Sequence, residues 1–544
     1  MGTEFIDISH AEEGLKPHVY NFESTQHLVE ITDAASQDYD AAADLVTGEW
    51  KPGVREWLVL VCVSLLVAMD AFNATVVLPL VPHLPVAFRQ PLGVTLWIEA
   101  SYLLANAASQ PFFAMLAALF GVGPIVLGAA VLATVGTGVC SGSVDLSCLV
   151  AGRFVQGMGC GGVRAISLEM IDGAIPGGQK IRFHGYVTQV WIFGAMLGLI
   201  FGGVLVDHAI WSFYGGFIFC ALSLLTIPFA VDLKGYKRMP KCKLHDLNWL
   251  AAVLTFMGMG CLLIGTSWGG TLYDWNNWHI LVLLCAGGVA MLALFLYESM
   301  RAVQPIFSSA VFYSIPKLSV YTGSLLHGFL ISCHLLNCCL YLILIKCFSS
   351  ALTGLSLLTV VSPSLVSLIL TEKVRLLRNP CVSPWIVRVG WMCNTISTVF
   401  FVILDARTPP QAWVFIFLGT GIGHALLVSG YHRCLHNASK ETQPLPPRIR
   451  RRKNVSPSYI LMYTILRSWG MCIAIPVSGA ILLNRIFGGL REERIDPNRH
   501  TDKTALSDDA EEQLRRMLVC GFRILWRALM GVSALGSISS LFVR

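Results

Sequence analysis

Apolar runs of about twenty residues, separated by short polar stretches, fill the chain from residue 55 to the C-terminus. A bilayer core takes about 20 apolar residues per helix. On that rule the pattern predicts spans near 57–80, 95–118, 123–142, 148–171, 185–206, 211–231, 249–268, 278–297, 319–346, 351–371, 384–404, 411–431, 457–483 and 519–542. That is an all-α polytopic membrane protein with about 14 transmembrane helices. The run at 351–371 contains Pro363 and several serines. Pro409–Pro410 and the group Pro444, Pro446 and Pro447 punctuate connections between runs.

The polar stretches orient the spans. Lys180 and Arg182, then Lys234, Lys237, Arg238, Lys241 and Lys243, then Lys373, Arg375 and Arg378, then Arg433, Lys440 and Arg448 to Lys453 fall on one side. The other side carries Arg89, Asp145, Asp207, Asp274 and Arg407 in short loops. Positive residues collect on the cytosolic face, so both termini are expected inside and the loop 484–518 outside. Residues 1–54 are polar and acidic, without the basic start and apolar run of a cleaved signal. They are expected to form a disordered cytosolic tail.

Composition narrows the classes. Only 13% of residues are charged against 55% hydrophobic, and mean hydropathy is +0.64. A soluble protein carries about 25% charged residues. The formal charge of +6 lies in loops between apolar runs, so it reads as membrane orientation and not as nucleic-acid binding. The 17 cysteines show no zinc or redox spacing and read as small packing residues. Gly173 to Lys180 lacks the lysine–serine/threonine ending of a phosphate-binding loop, and no HExxH or GxSxG string occurs. No enzyme activity, cofactor or metal is expected.

Two glycine-rich stretches lie inside spans: Gly157, Gly159, Gly161 and Gly162, then Gly194, Gly198, Gly202 and Gly203. Both read as seams of close helix approach, either static packing or surfaces along which bundles rock. Ionisable residues within spans are costly and mark function by default. Asp70 reads as a proton or substrate group, or as a structural aspartate bonding a neighbouring helix. Glu99 lies near the start of its span, where snorkelling to water competes with function. Arg164 and Glu169 are expected to pair with each other. His327, His334 and His424 read as packing residues that could also titrate. Phe72, Trp191, Phe193, Phe329, Tyr341 and Trp469 are candidates for an apolar pocket or for lipid-facing positions.

Several strings resemble the major facilitator superfamily, and more narrowly its fourteen-span drug:proton antiporter branch of fungal toxin, multidrug and metabolite exporters. Met69-Asp70 through Thr75 to Leu78-Pro79 is similar to the first-span signature of that branch. Trp97, Tyr102, Leu103 and Gln110-Pro111 resemble its second span. Gly152-Arg153-Phe-Val-Gln156-Gly157-Met-Gly159-Cys-Gly161-Gly162 resembles its fourth-span motif, followed by Asp172 and Arg182. Gly269-Gly270 with Trp275, and Arg467-Ser-Trp-Gly470 with Ala474 and Asn484, resemble later elements. Two departures stand out. The second-to-third connection, Ala114 to Gly123, lacks the family's aspartate and arginines, and Leu199 replaces the fifth-span proline.

The resemblance implies an N-terminal six-helix bundle over 55–232, a basic linker and two extra helices over 233–300, and a C-terminal six-helix bundle over 301–544. It implies a secondary active transporter that exports a small amphiphilic molecule by proton antiport. Asp70, Glu99, Arg153 and Gln156 would serve proton coupling or substrate, with Arg153 tuning the acid. Gly157, Gly161, Gly194, Gly198, Gly202 and Gly203 would form the conformational seam. The partners implied are a small-molecule substrate, protons and the bilayer, for a monomer in the plasma membrane or the vacuolar membrane. Two alternatives stand beside this reading: an uptake carrier for a metal chelate or nutrient, and a non-transporting sensor that keeps the fold.

Overall fold

A computed structural model describes residues 51–176, 179–206, 209–231, 248–300, 314–374, 380–440, 459–492 and 508–543. Residues from Val54 onward form one compact unit. Among the described residues fourteen long helices follow in order: α1 Val54–Thr75, α2 Trp97–Phe120, α3 Val122–Ser141, α4 Leu146–Ala174, α5 Lys180–Val204, α6 Ala209–Ala230, α7 Trp249–Trp268, α8 Trp278–Met300, α9 Ile315–Leu344, α10 Ser350–Lys373, α11 Ser383–Phe401, α12 Pro410–Lys440, α13 Tyr459–Glu492 and α14 Asp508–Ser540. Among the described residues there are no β-strands, only an isolated bridge between Gly269 and Tyr273. Twelve of these helices are long and apolar enough to cross a membrane. The other two are α4, which carries Arg153, Arg164 and Glu169, and α11.

The helices pack in two sets. In the first, α4 lies along α2 and α3, α5 along α1, and α6 against α1 and α3. In the second, α9 packs on α13 and α14, α12 on α10 and α11, and α11 on α14. The sets meet where α5 touches α10 and where α2 touches α13. Helices α7 and α8 pair with each other, and α7 leans on α2 and α13. In the most apolar window of α8 only 17% of residues are buried. Its exposed Leu281, Val282, Val289 and Leu292 suit contact with lipid.

Boundaries follow local chemistry. Helix α1 ends at Thr75, and a short 3-10 turn over Leu78–Leu80 follows, because Pro79 cannot donate a backbone bond. Helices α2 and α3 are joined by Gly121 alone, at φ 94°, a conformation that glycine adopts without penalty. Pro363 sits inside a continuous α10. Of the loop expected at 484–518, α13 covers as far as Glu492 and α14 resumes at Asp508. The acidic tail and the basic stretches at 234–243 and 448–453 lie outside the described residues.

Candidate substrate and proton site

Polar residues on α2 fall at 99, 102, 106 and 110, a spacing of three and four that puts them on one helical face. Those on α4 fall at 153, 156 and 164. The two faces meet the C-terminal part of α1, where Asp70 and Asn73 lie fully buried. Gly157 and Gly161 make this meeting possible. A Cβ at Gly157 would overlap the Tyr102 backbone, and one at Gly161 the Asn106 carbonyl.

The Asp70 carboxylate is saturated. Oδ1 accepts from Asn106 Nδ2 at 2.9 Å and Tyr102 Oη at 3.1 Å. Oδ2 accepts from Arg164 Nε at 2.8 Å, Arg164 Nη2 at 2.5 Å and Trp191 Nε1 at 3.1 Å. Arg164 therefore pairs with Asp70 and not with Glu169. Five residues along a helix turn about 140° beyond a full circle, which takes Glu169 off the face of Arg164. Arg164 also donates to Ser468 Oγ on α13 at 3.3 Å, and Gln110 Nε2 donates to the same oxygen at 2.8 Å. The pair thus reaches from the first set of helices to the second.

A second ion pair lies beside it. Arg153 is fully buried and donates to Glu99 Oε2 at 2.9 Å, to Gln156 Oε1 at 2.7 Å, and to the carbonyls of Asn73 at 2.9 Å and Ile98 at 3.3 Å. Glu99 is buried, not snorkelling. The four residues expected at the site therefore divide. Arg153, Glu99 and Gln156 stand together, while Asp70 is held by Arg164, Tyr102, Asn106 and Trp191. Tyr102 joins the groups, with its ring 4.1 Å from the Arg153 guanidinium and its hydroxyl on Asp70. Following the loop motif, Asp172 pairs with His184 at 3.0 Å, and Arg182 bonds Tyr186.

Between the two sets lies a cavity of about 50 Å³, lined by Glu99, Leu103 and Trp191 on one side and by Ile331, Ser332, Val361, Ser364, Arg467 and Met471 on the other. Of the six aromatic candidates only Trp191 lines it. Phe72 and Tyr341 are buried in packing and Phe193 faces outward, while Trp469 lines a separate apolar groove against α8 and α9. Two cations lie near the Trp191 ring, Arg164 at 5.5 Å and Arg467 at 5.7 Å from its centre. The three buried histidines come together on α9 and α12. His334 Nδ1 and His424 Nε2 are 3.0 Å apart, and His327 stacks on His424.

The glycine seam also divides. Gly194, Gly198 and Gly202 abut α1 and the Leu78–Leu80 turn, so they pack within the first set. Gly203 alone of the six faces the second set, against Ser350 and Ala351, and Gly354 answers it against Leu199. At this end of the cavity, Ser350 Oγ and His83 Nε2 lie 2.6 Å apart and Cys339 Sγ donates to the Leu78 carbonyl at 3.1 Å. Trp97 Nε1 donates to Ser267 at 3.0 Å nearby. This end is closed.

Known proteins match the chain in both sequence and fold. The family model of the Major Facilitator Superfamily matches residues 63–241. Over that stretch, about a third of its length, the chain is similar to this superfamily. Its relatives include the efflux pump FUS6 of Gibberella fujikuroi, 22% identical over 91% of this chain and 90% of that protein. The MFS-type efflux pump LUC4 of a Fusarium species is 23% identical over 91% and 88%. Among solved structures, a bacterial homolog of the human lysosomal transporter Spinster, inward-facing and occupied, superposes with a TM-score of 0.56 at 14% identity, over 91% of this chain and 97% of that one. That likeness is one of fold. The names of these two fungal relatives are those of efflux pumps.

Proposed function

We propose that this protein is a secondary active transporter that exports small amphiphilic molecules by proton antiport, with Asp70 as the proton carrier. The observation that carries the reading is the Asp70–Arg164 pair. It is buried beside the central cavity and tied through Ser468 to the opposite helix set. The names of the fungal relatives, efflux pumps over nearly their whole length, support the direction of transport.

Proton uptake has a defined place in this arrangement. Tyr102 Oη lies 3.1 Å from Asp70 Oδ1 and 3.0 Å from the Asp70 carbonyl oxygen. A hydroxyl both donates and accepts. A proton arriving on Oδ1 can be donated to Tyr102 while Tyr102 donates to that carbonyl. The carboxyl is then neutral, and its charge attraction to Arg164 is gone. Arg164 is freed to leave Ser468, and the contact between helix sets loosens. Release of the proton restores the pair. Binding of substrate in the cavity, against Trp191, then alternates with protonation. The two six-helix bundles and the plasma-membrane location belong to this same reading.

The test is efflux from a host stripped of its own exporters, with a panel of amphiphilic compounds followed with and without a protonophore. Protonophore-sensitive loss of a compound is expected, and Asp70→Asn is expected to abolish its dependence on external pH. Accumulation in place of loss would reverse the direction to uptake. Absence of flux with the protein at the membrane would favour the non-transporting alternative. Wild-type export by Asp70→Asn at every pH would remove Asp70 from the mechanism.

A further inference from the structure

The cavity and its rim hold three guanidiniums and two carboxylates. Arg153 is matched by Glu99 and Arg164 by Asp70. Arg467 has no carboxylate within ion-pair distance among the described residues. Its Nε is buried without a hydrogen-bond partner, and the side chain forms part of the cavity wall. A second cation, Arg164, also lies near the Trp191 ring, and the Asp70 carboxylate beside that ring is already paired with it. An unmatched cation in a membrane interior is costly, and its natural complement is an anion that arrives from outside the chain.

We propose that Arg467 binds the negative group of an anionic amphiphile, a carboxylate or an acid of similar planar geometry, whose apolar body lies against Trp191, Leu103, Ile331 and Met471. A guanidinium offers paired N–H donors that match a carboxylate edge to edge. The lining around it is apolar, apart from Ser332, Ser364, Thr75, Thr188 and the Glu99 carboxylate already held by Arg153. One charged anchor in an apolar chamber selects a molecule with one charged end. The inference rests on the reading that the central cavity is the substrate site.

Equilibrium binding to the purified full-length protein tests it without requiring flux. The probes are naphthalene-1-acetate, indole-3-acetate and octanoate, each against its own primary amide, which keeps shape and removes charge. The carboxylates are expected to bind tighter than their amides by about tenfold or more, the range of a charge-assisted hydrogen bond. Arg467→Gln is expected to erase that preference, and Arg467→Lys to retain part of it, with thermal unfolding confirming that both variants fold. Equal binding of carboxylate and amide, survival of the preference in Arg467→Gln, or failure of every carboxylate to bind would each overturn the proposal. Binding with the expected preference but no flux would leave the anion site standing and refute the transport reading. Export confined to neutral compounds would do the reverse.

Discussion

Replacing Arg164 with glutamine removes two of the five donors on Asp70, those at 2.8 and 2.5 Å, and the only cation among them. The carboxylate stays fully buried, with neutral Tyr102, Asn106 and Trp191 for company. Breaking a buried ion pair by deleting one partner costs about 3–5 kcal/mol, because the remaining charge is uncompensated. Arg164 is 14% exposed, which moves the expectation to the lower end, about 3 kcal/mol. Asp70→Asn is not neutral either. An amide has one accepting oxygen, so its NH₂ group faces either Arg164 and Trp191, which are donors, or Tyr102, which can accept, and the Asn106 amide NH₂, which cannot. The expected cost is about 2 kcal/mol. The double variant Asp70→Asn/Arg164→Gln removes both charges and lets two amides bond each other. Its cost should fall short of the sum by about 2 kcal/mol or more. Chemical denaturation of the four proteins in mixed micelles gives the cycle. Single-variant costs that add to within about 0.5 kcal/mol, the behaviour of independent sites, would mean that the two residues do not form a stabilising pair.

Tyr102→Phe keeps the ring over Arg153 and removes the hydroxyl that would accept the Asp70 proton; a modest stability loss of about 1 kcal/mol should accompany a displaced pH profile of efflux, and an unmoved profile would take Tyr102 out of proton uptake. Gly354→Val drives a side chain into the Leu199 carbonyl and should part α5 from α10, so Cys339, now fully buried, should label with a permeant maleimide at a rate read by mass spectrometry; continued protection would show that the contact tolerates the bulk. Gly157→Leu places its side chain on the Tyr102 backbone and should lower the melting temperature by the equivalent of about 3 kcal/mol or more of overpacking. Gly173→Ala on the same helix meets nothing within 4 Å and should be neutral or stabilising by about 0.5–1 kcal/mol, so equal damage from both would deny the seam at Gly157.

The spans were legible because lipid imposes one requirement on every helix, and a run of about twenty apolar residues states it directly. Helix α4 shows where hydropathy weakens: Arg153, Arg164 and Glu169 dilute it, yet packing against α2 and α3 holds it in the bundle. Asp70 and Glu99 stood out as rare acids in apolar runs. Arg153 and Arg164 stood out as well, but which acid each one meets did not, because pairing depends on which faces of distant helices meet. The residues 70 and 164 are brought together by glycines whose contacts lie on a third helix. A usable signal existed in the polar stripe of Glu99, Tyr102, Asn106 and Gln110, whose three-and-four spacing in an otherwise apolar helix marks a face turned away from lipid. Arg467 was visible only as part of a resemblance. That it lacks a counter-charge is a property of the packed chain, since it requires knowing where every carboxylate goes.

The two ion pairs differ in what protonation would leave behind, and that difference is the ground for proposing Asp70 over Glu99 as the proton carrier. Arg153 is fully buried. Neutralising Glu99 would leave its guanidinium with no counter-charge, only the Gln156 oxygen, two carbonyls and the Tyr102 ring. Arg164 keeps partial access and borders Ser468 of the opposite set, so neutralising Asp70 releases a cation that can move, and its movement changes a contact between the sets. Arg153 also cannot turn to serve Asp70 without surrendering Glu99. What links the acids is Tyr102, which stacks on one arginine and bonds the other pair's carboxylate. The Glu99–Arg153 pair is therefore suited to fix the first helix set as a rigid frame, and the Asp70–Arg164 pair to report a proton to the second.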